Sequence, residues 1–181
     1  LLVYKIAEII ASKYSLIGVP LIVKGLAEAY KYDINENFEQ EIQNLDISGI
    51  YWKIIKTSFA ILSSRYPQKP VDNQEKFMSP LQIHQFLATL LLFGDEVANL
   101  LCLTHNEDEW SFEEIARFGL VKYDVNEKFY FNHQTYAEFF IALFIFNLLK
   151  NVQKLSSVQL DVIFQVLTED KFGVARTFID S

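Results

Sequence analysis

The sequence predicts a mainly α-helical protein, a helical bundle followed by a winged-helix unit with one β-hairpin. Several segments repeat apolar residues three and four positions apart, as amphipathic helices do. One stretch differs: residues 120–125 alternate apolar and polar side chains, and residues 126–128 are polar. The aromatic residues 129–131 then return antiparallel to the first strand. A helix predicted from about Thr135 to Lys150 follows this hairpin.

Composition and charge narrow the class of protein. The chain has 181 residues, of which 51% are hydrophobic and 15% aromatic, so it can bury one generous core or two small ones. The net charge of −7 argues against a nucleic-acid-binding surface, which needs a basic face. A single cysteine, Cys102, excludes an internal disulfide and favours a reducing compartment.

The two longest apolar runs predict buried helices. They cover residues 87–103, which Asp95 and Glu96 interrupt, and residues 139–149. Both fall short of the roughly 20 residues of a membrane-spanning helix, so no membrane span is expected. The chain begins Leu-Leu-Val without a signal-peptide pattern, and we interpret it as a piece of a longer protein.

Three helices are expected in the first third of the chain. The first covers residues 3–14 and ends at Gly18, and Pro20 then begins a second helix that reaches about residue 32. Residues 33–47 are polar and asparagine-rich, which favours a loop. A third helix is predicted over residues 48–64.

The rest of the chain is predicted to continue with helices on both sides of the hairpin. Residues 66–78, with two prolines at the start, form a linker, and Ser79-Pro80 begins a helix to about residue 93. Gly94 breaks this helix, and Asp95 caps a short second piece. Ser111-Phe-Glu-Glu114 is a capping box that opens another short helix. Two short helices, over residues 157–167 and 169–178, are expected after the long helix that follows the hairpin.

Two residues are candidates for a binding site, each with a structural alternative. His133 lies where the hairpin meets a helix, where free N–H groups and the helix dipole favour an anion such as phosphate. A surface or packed histidine is the commoner situation. Pro20 is explained by its place at a helix start, or its ring walls a planar ligand group. Glu138 is assigned to a solvated or inter-helix face.

The sequence lacks the common motifs of metal sites, nucleotide-binding loops and nucleophile elbows. His84 and His105 lack the spaced partners of a metal site, and no H-x-x-x-H, H-E-x-x-H or C-x-x-C occurs. No G-x-x-x-x-G-K-[ST], G-x-G-x-x-G or G-x-S-x-G occurs either, so the sequence offers no phosphate loop and no nucleophile elbow. The helix that precedes the hairpin is acidic, which argues against its entry into a DNA major groove.

Two segments together resemble a known family. Residues 17–29, Ile-Gly-Val-Pro-Leu-Ile-Val-Lys-Gly-Leu-Ala-Glu-Ala, are similar to the G-x-P segment of STAND-type NTPases. Residues 131–142, Phe-Asn-His-Gln-Thr-Tyr-Ala-Glu-Phe-Phe-Ile-Ala, resemble the F-x-H-x-[ST]-[FY]-x-E-[FY]-x-x-A signature of their NACHT branch, the NOD-like receptors and relatives. The order of the two segments and the gap of roughly 110 residues are also similar.

The resemblance implies a domain organisation. Residues 1–65 would be a first helical domain, 66–78 a linker, 79–150 a winged-helix domain, and 151–181 the start of a second helical domain. In that family the proline packs by the adenine or ribose of ADP, and the histidine contacts the β-phosphate and holds the closed, inactive form. These roles correspond to Pro20 and His133.

The resemblance also implies a function that this chain would perform only together with an upstream part of the protein. The phosphate loop and the acidic magnesium motif of the family lie upstream and are absent here, so the chain would be the regulatory lid over ADP or ATP and not itself an enzyme. Expected partners are the upstream nucleotide-binding core and, on activation, further copies in a cytoplasmic, innate-immune signalling assembly. The alternatives are an α-helical protein-interaction module without a nucleotide role, a winged-helix DNA-binding protein, and a stand-alone enzyme.

Overall fold

The computed structural model describes residues 2–13, 19–31, 38–65, 74–101, 111–124, 128–150 and 155–181. Within these ranges the protein is mainly helical, with one two-stranded antiparallel hairpin, which confirms the predicted fold class. The chain divides into two compact units, Leu1–Arg65 and Tyr66–Ser181. No helix of the described ranges is both long and apolar enough to cross a membrane.

The described residues of the first unit form four helices. They are α1 (Leu2–Lys13), α2 (Val19–Ala29), α3 (Phe38–Asn44) and α4 (Ile47–Arg65). Helix α2 packs against both α1 and α4, and α1 also contacts α3. The core side chains come from the apolar stripe of each helix and include Ile6, Ile10, Ile22, Leu26, Ile50, Ile55 and Phe59. Their periodic spacing is the signal from which the three longer helices were predicted.

Helix α3 corrects the prediction of a loop over residues 33–47. The local composition is polar, but Ile42 is fully buried, and its burial against the unit favours a helix over a loop. Glu39 forms an ion pair with Lys5 of α1, and Glu41 accepts a hydrogen bond from Lys53 of α4 at 3.0 Å. The pKa of Glu41 is lowered, chiefly by that bond. Residues 33–37 of the predicted loop lie outside the described ranges.

Helices α2 and α4 approach most closely at Gly25. A Cβ atom at this position would stand 2.8 Å from Cδ1 and 2.9 Å from Cγ1 of Ile54. Carbon atoms pack at about 3.5–4.0 Å, so only glycine fits this crossing without a shift of the Ile54 side chain.

The second unit contains six helices and the hairpin among its described residues. In order they are α5 (Gln74–Phe93), α6 (Asp95–Leu100), α7 (Phe112–Ala116), β1 (Val121–Tyr123), β2 (Phe129–Phe131), α8 (Gln134–Leu149), α9 (Ser157–Thr168), a single 3₁₀ turn (Asp170–Phe172) and α10 (Gly173–Ile179). Helix α8 is central, because α5, α10 and β2 all pack against it. The hairpin lies between α7 and α8 in the chain.

The start of α5 differs from the prediction. Ser79-Pro80 was expected to begin the helix, but α5 begins at Gln74 and contains Pro80. A proline inside a helix removes one backbone hydrogen bond, and its cost is offset where the surrounding residues are well packed. Pro80 and Leu81 are both buried. The helix therefore extends back over residues 74–78 of the predicted linker.

The geometry of the shorter elements confirms the predicted break at Gly94, the capping box and the hairpin, and it shows that the prediction of Asp95 as a helix cap is wrong. Gly94 has a φ of 86° and separates α5 from α6, where it, rather than Asp95, is the N-cap. Ser111 and Glu114 form the predicted reciprocal capping box of α7. The strands pair antiparallel with Val121 opposite Phe131 and Tyr123 opposite Phe129. Residues 125–127, which include most of the predicted turn, lie outside the described ranges.

Candidate functional site

The first turn of α8 carries the candidate phosphate contact, His133. This residue is the N-cap of α8, with φ −151° and ψ 140°, the extended backbone that is typical of a helix cap. Its ring nitrogen Nδ1 accepts a hydrogen bond from the backbone N–H of Thr135 at 3.3 Å and lies 2.8 Å from the Thr135 hydroxyl. The imidazole thus replaces the serine or aspartate oxygen that caps most helices.

This capping bond fixes which ring nitrogen of His133 carries the proton. A backbone N–H can only donate, so Nδ1 must present its lone pair, and the proton belongs on Nε2. The Thr135 hydroxyl can rotate to donate to Nδ1 as well. His133 is half-buried, and no described residue forms a hydrogen bond with Nε2. The Nε2–H group is therefore a donor that a ligand could use.

Two hydrogen bonds from Asn132 hold the junction that precedes His133. The backbone N–H of Asn132 donates to the carbonyl of Leu120 at 2.8 Å, and its side-chain amide donates to the carbonyl of Gly119. Gly119 has a φ of 76°, a left-handed conformation that favours glycine. These two bonds tie the end of β2 to the entrance of β1. They place the imidazole of His133 at a fixed junction rather than on a free loop.

Glu138 lies one turn further along α8 and is buried. Only 4% of its surface is exposed, and its Oε1 accepts a hydrogen bond from the Gln134 amide at 2.9 Å. Burial raises the pKa of Glu138, and the Gln134 bond and the charge of His133 oppose that rise. The carboxyl group is thus easier to protonate than an exposed one. The earlier assignment to a solvated face is wrong, and the inter-helix alternative fits.

Pro20, the other candidate, lies in the first unit. It is the second residue of α2 and its ring is exposed, in accord with its predicted place at a helix start. At this position the missing N–H costs nothing, because the first amides of a helix have no partner within it. Pro20 and His133 therefore belong to different compact units. Gly18, the other motif position of that segment, lies outside the described residues.

A second histidine, which the sequence did not link to any role, lies in the core of the second unit. His84 of α5 is fully buried, and its ring stacks on Phe140 at 5.0 Å and meets Phe118 edge-on at 5.6 Å. Its Nδ1 lies 2.6 Å from the carbonyl oxygen of Pro80, so the Nδ1–H tautomer donates to that oxygen. Burial lowers the pKa of His84 from 6.5 to about 4.

Sequence reasoning singled out His133 as a candidate but gave no site role to Glu138 or His84. Glu138 is a lone polar residue within an apolar run of α8, and this is a signal that could have drawn attention to it. His84 has Gln82 and Gln85 beside it in α5, so the sequence carries no comparable signal for it. Among the described residues no group of three or more His, Cys, Asp or Glu side chains could hold a metal ion. His105 lies outside those residues.

Comparison with known proteins identified no relative of this chain. No protein-family model, no curated protein and no solved structure matches the chain.

Proposed function

We propose that this chain is the regulatory lid of a NACHT-type signalling NTPase, which closes over bound ADP or ATP and couples the nucleotide to domain opening and oligomerisation. The observation that carries the proposal is the geometry of His133 within its signature segment. An imidazole that caps α8 through Nδ1 presents Nε2–H as a donor at the positive end of a 16-residue helix. A phosphate oxygen accepts from such a group.

The donor set at this turn fits a phosphate. The backbone N–H of Gln134 stands in the first turn of α8, where helix amides lack partners within the helix, and Nε2–H of His133 adds a second donor. Glu138 lies one turn along α8, and burial raises the pKa of its carboxyl group, which favours the uncharged form that does not repel an anion. In the proposal, His133 binds the β-phosphate, and Pro20 packs against the adenine or ribose.

Magnesium belongs elsewhere in this proposal. The described residues offer no cluster of ligands for a metal ion, and the upstream core that the resemblance implies would hold it with the rest of the nucleotide. When bound there, magnesium would neutralise phosphate charge. The contribution of this chain is to bind and orient: it holds the β-phosphate through the Nε2–H donor of His133, and it senses whether that contact is made.

The physical logic of the switch is a difference in contacts between two states. A nucleotide can stabilise the closed arrangement only by as much as it binds that arrangement more tightly than the open one. A charge-assisted hydrogen bond from His133 to phosphate is worth about 1.5–3 kcal/mol. Loss of that bond should shift the protein toward the open state that assembles with further copies.

The test is ADP binding by calorimetry on a chain that joins these residues to the upstream core. His133→Ala should weaken ADP binding by about ten- to hundred-fold, the equivalent of one charge-assisted hydrogen bond. His133→Asn is the matched variant, because asparagine caps helices well but lacks a donor at the position of Nε2. It should keep the stability of the wild-type protein and lose ADP affinity to the same extent.

Two results would contradict the proposal. Unchanged ADP affinity and unchanged assembly in both variants would leave His133 with a capping role only. ADP affinity lost in His133→Ala but retained in His133→Asn would show that the helix cap, and not the phosphate contact, matters.

Pro20→Ala should weaken ADP binding without changing its dependence on the number of phosphates, since its partner is the base or ribose.

One observation favours the second candidate, an α-helical protein-interaction module without a nucleotide role. Large apolar side chains are exposed on several described helices, including Tyr4 at 81% and Phe164 at 68%. Large exposed apolar side chains are typical of protein–protein interfaces where they form a patch. This reading predicts partner binding that ADP and ATP do not affect, and the His133 variants distinguish it from the lid.

A further inference from the structure

Helix α9 exposes an apolar stripe on the side away from its core contacts. Its buried side chains are Val162, Ile163 and Val166, whereas Leu160, Phe164 and Leu167 are 51%, 68% and 44% exposed. The last three follow one another at i, i+4 and i+7, so they form one continuous row along the helix, here called the α9 stripe. Such spacing is the pattern of anchors through which one helix docks on another.

Acidic groups border the α9 stripe. Asp161 stands three residues before Phe164, hence on the adjacent row of the helix, and Asp170 follows the helix end, three residues after Leu167 in sequence; both are exposed. Two basic side chains that follow α9 among the described residues are already engaged. Lys171 pairs with Glu169 at 2.9 Å, and Arg176 donates to backbone carbonyl groups at 2.7 and 3.1 Å.

The border of the stripe is therefore negative, and this decides between possible occupants. A second copy would bring Asp161 and Asp170 against their own counterparts, and like charges at an interface cost free energy. An anionic lipid surface or a nucleic acid would be repelled for the same reason. We propose that the α9 stripe docks an amphipathic helix of a partner protein whose apolar face is bordered by lysine or arginine.

In the docked arrangement Phe164 and the two aspartates contribute differently to binding. Phe164 is the anchor, because a large aromatic side chain that loses most of its exposed surface dominates the energy of such an interface. Asp161 and Asp170 lie at the rim, where charges contribute more to association rate and to the choice of partner than to affinity. This surface is independent of the nucleotide contact proposed for His133.

The experiment uses the whole 181-residue chain and two fluorescent peptides of about 20 residues, long enough to form a helix. Both peptides have the same leucine face, which lysines border in one and glutamates in the other. Fluorescence anisotropy should give a dissociation constant about ten-fold lower for the lysine peptide at low salt, with the difference shrinking as salt is added.

Variants locate the binding surface. Phe164→Glu should abolish binding of both peptides, and Asp161→Lys should remove the preference for the lysine peptide while leucine-face binding remains. Leu91→Glu is the matched control, because Leu91 of α5 is 48% exposed, close to the value of Leu160, and lies outside the stripe. It should bind like the wild-type chain, and unchanged thermal melts of all three variants show that they fold.

Three outcomes overturn the proposal. The first is equal binding of both peptides, or of neither. The second is a loss in Leu91→Glu as large as that in Phe164→Glu, which would place the binding elsewhere. The third is a dimer in sedimentation velocity that Phe164→Glu dissociates, which would assign the stripe to a second copy of this chain.

Discussion

The buried imidazole of His84 makes the stability of the second unit depend on pH in a way that can be calculated. The pKa of this group falls from 6.5 to about 4 on folding, because burial among aromatic rings disfavours the imidazolium. Below pH 6.5 the unfolded chain therefore binds a proton that the folded chain does not. The free energy of unfolding must decrease as pH falls through the window from 6.5 to about 4.

The magnitude follows from the size of that window. One pKa unit corresponds to about 1.4 kcal/mol, so linkage gives a loss of about 2 kcal/mol on going from neutral pH to about pH 5. The full loss, reached below the folded pKa, is about 3 kcal/mol. This is a large part of the stability of a typical domain, which is about 5–15 kcal/mol.

The assay is urea unfolding at a series of pH values, for the wild-type chain and for His84→Phe. Phenylalanine keeps a ring against Phe140 and Phe118 but has no group to titrate. Absolute stabilities can differ, because the larger ring changes the packing; only the dependence on pH is compared. Glu138 acts in the opposite direction, since its raised pKa lets the folded state gain a proton as pH falls, and it titrates in both proteins.

The difference between the two pH profiles thus isolates His84. The wild-type protein should lose about 2 kcal/mol relative to His84→Phe between neutral pH and about pH 5. Parallel profiles would refute the reasoning, because they would mean that His84 titrates equally in both states and is not desolvated. A wild-type profile that rises relative to the variant would mean that the aromatic rings stabilise the imidazolium.

Three further substitutions test the packing and the caps by thermal or urea unfolding. Gly25→Ala should destabilise the first unit by about 1 kcal/mol, because the clash with Ile54 outweighs the gain in helix propensity; Gly173→Ala, whose Cβ meets only Arg176 at 3.8 Å, should instead stabilise the second unit by about 0.5 kcal/mol. A stabilised Gly25→Ala would contradict the close approach of α2 and α4. Ser111→Ala should cost about 1 kcal/mol through loss of the capping box.

Elements with a local signal could be predicted from the sequence, and elements decided by distant contacts could not. The Ser111 capping box and the alternation in residues 120–125 lie within a few residues of the elements they specify. Helix α3 was missed because its composition favours a loop, and only the burial of Ile42 reverses that preference. The early start of α5 was missed because Pro80 is an ordinary helix-starting signal that packing here overrides.

The candidate site divides in the same way. The location of His133 at a strand-to-helix junction follows from local patterns, and the geometry agrees. The acceptance of the Thr135 N–H by Nδ1 depends on one side-chain rotamer, which no spacing rule encodes. The burial of Glu138 depends on what packs against α8, so the raised pKa beside the proposed phosphate contact could not be predicted either.

The aromatic cluster around His84 is connected to His133 through residues 131–133. The roles of the two histidines can therefore be compared by experiment. Phe131 precedes His133 by two residues, and its ring lies 6.5 Å from that of His84 and 5.9 Å from that of Phe140. The backbone N–H and the side-chain amide of Asn132 each donate a hydrogen bond that holds the junction independently of this aromatic cluster. His84 variants should therefore change the pH dependence of unfolding while leaving phosphate affinity unchanged. His133→Asn should lower phosphate affinity while leaving the contribution of His84 to that pH dependence unchanged. If His84→Phe also weakened phosphate binding, the aromatic cluster would have to position the first turn of α8. The packing of the core and the contact with the phosphate would then be energetically coupled.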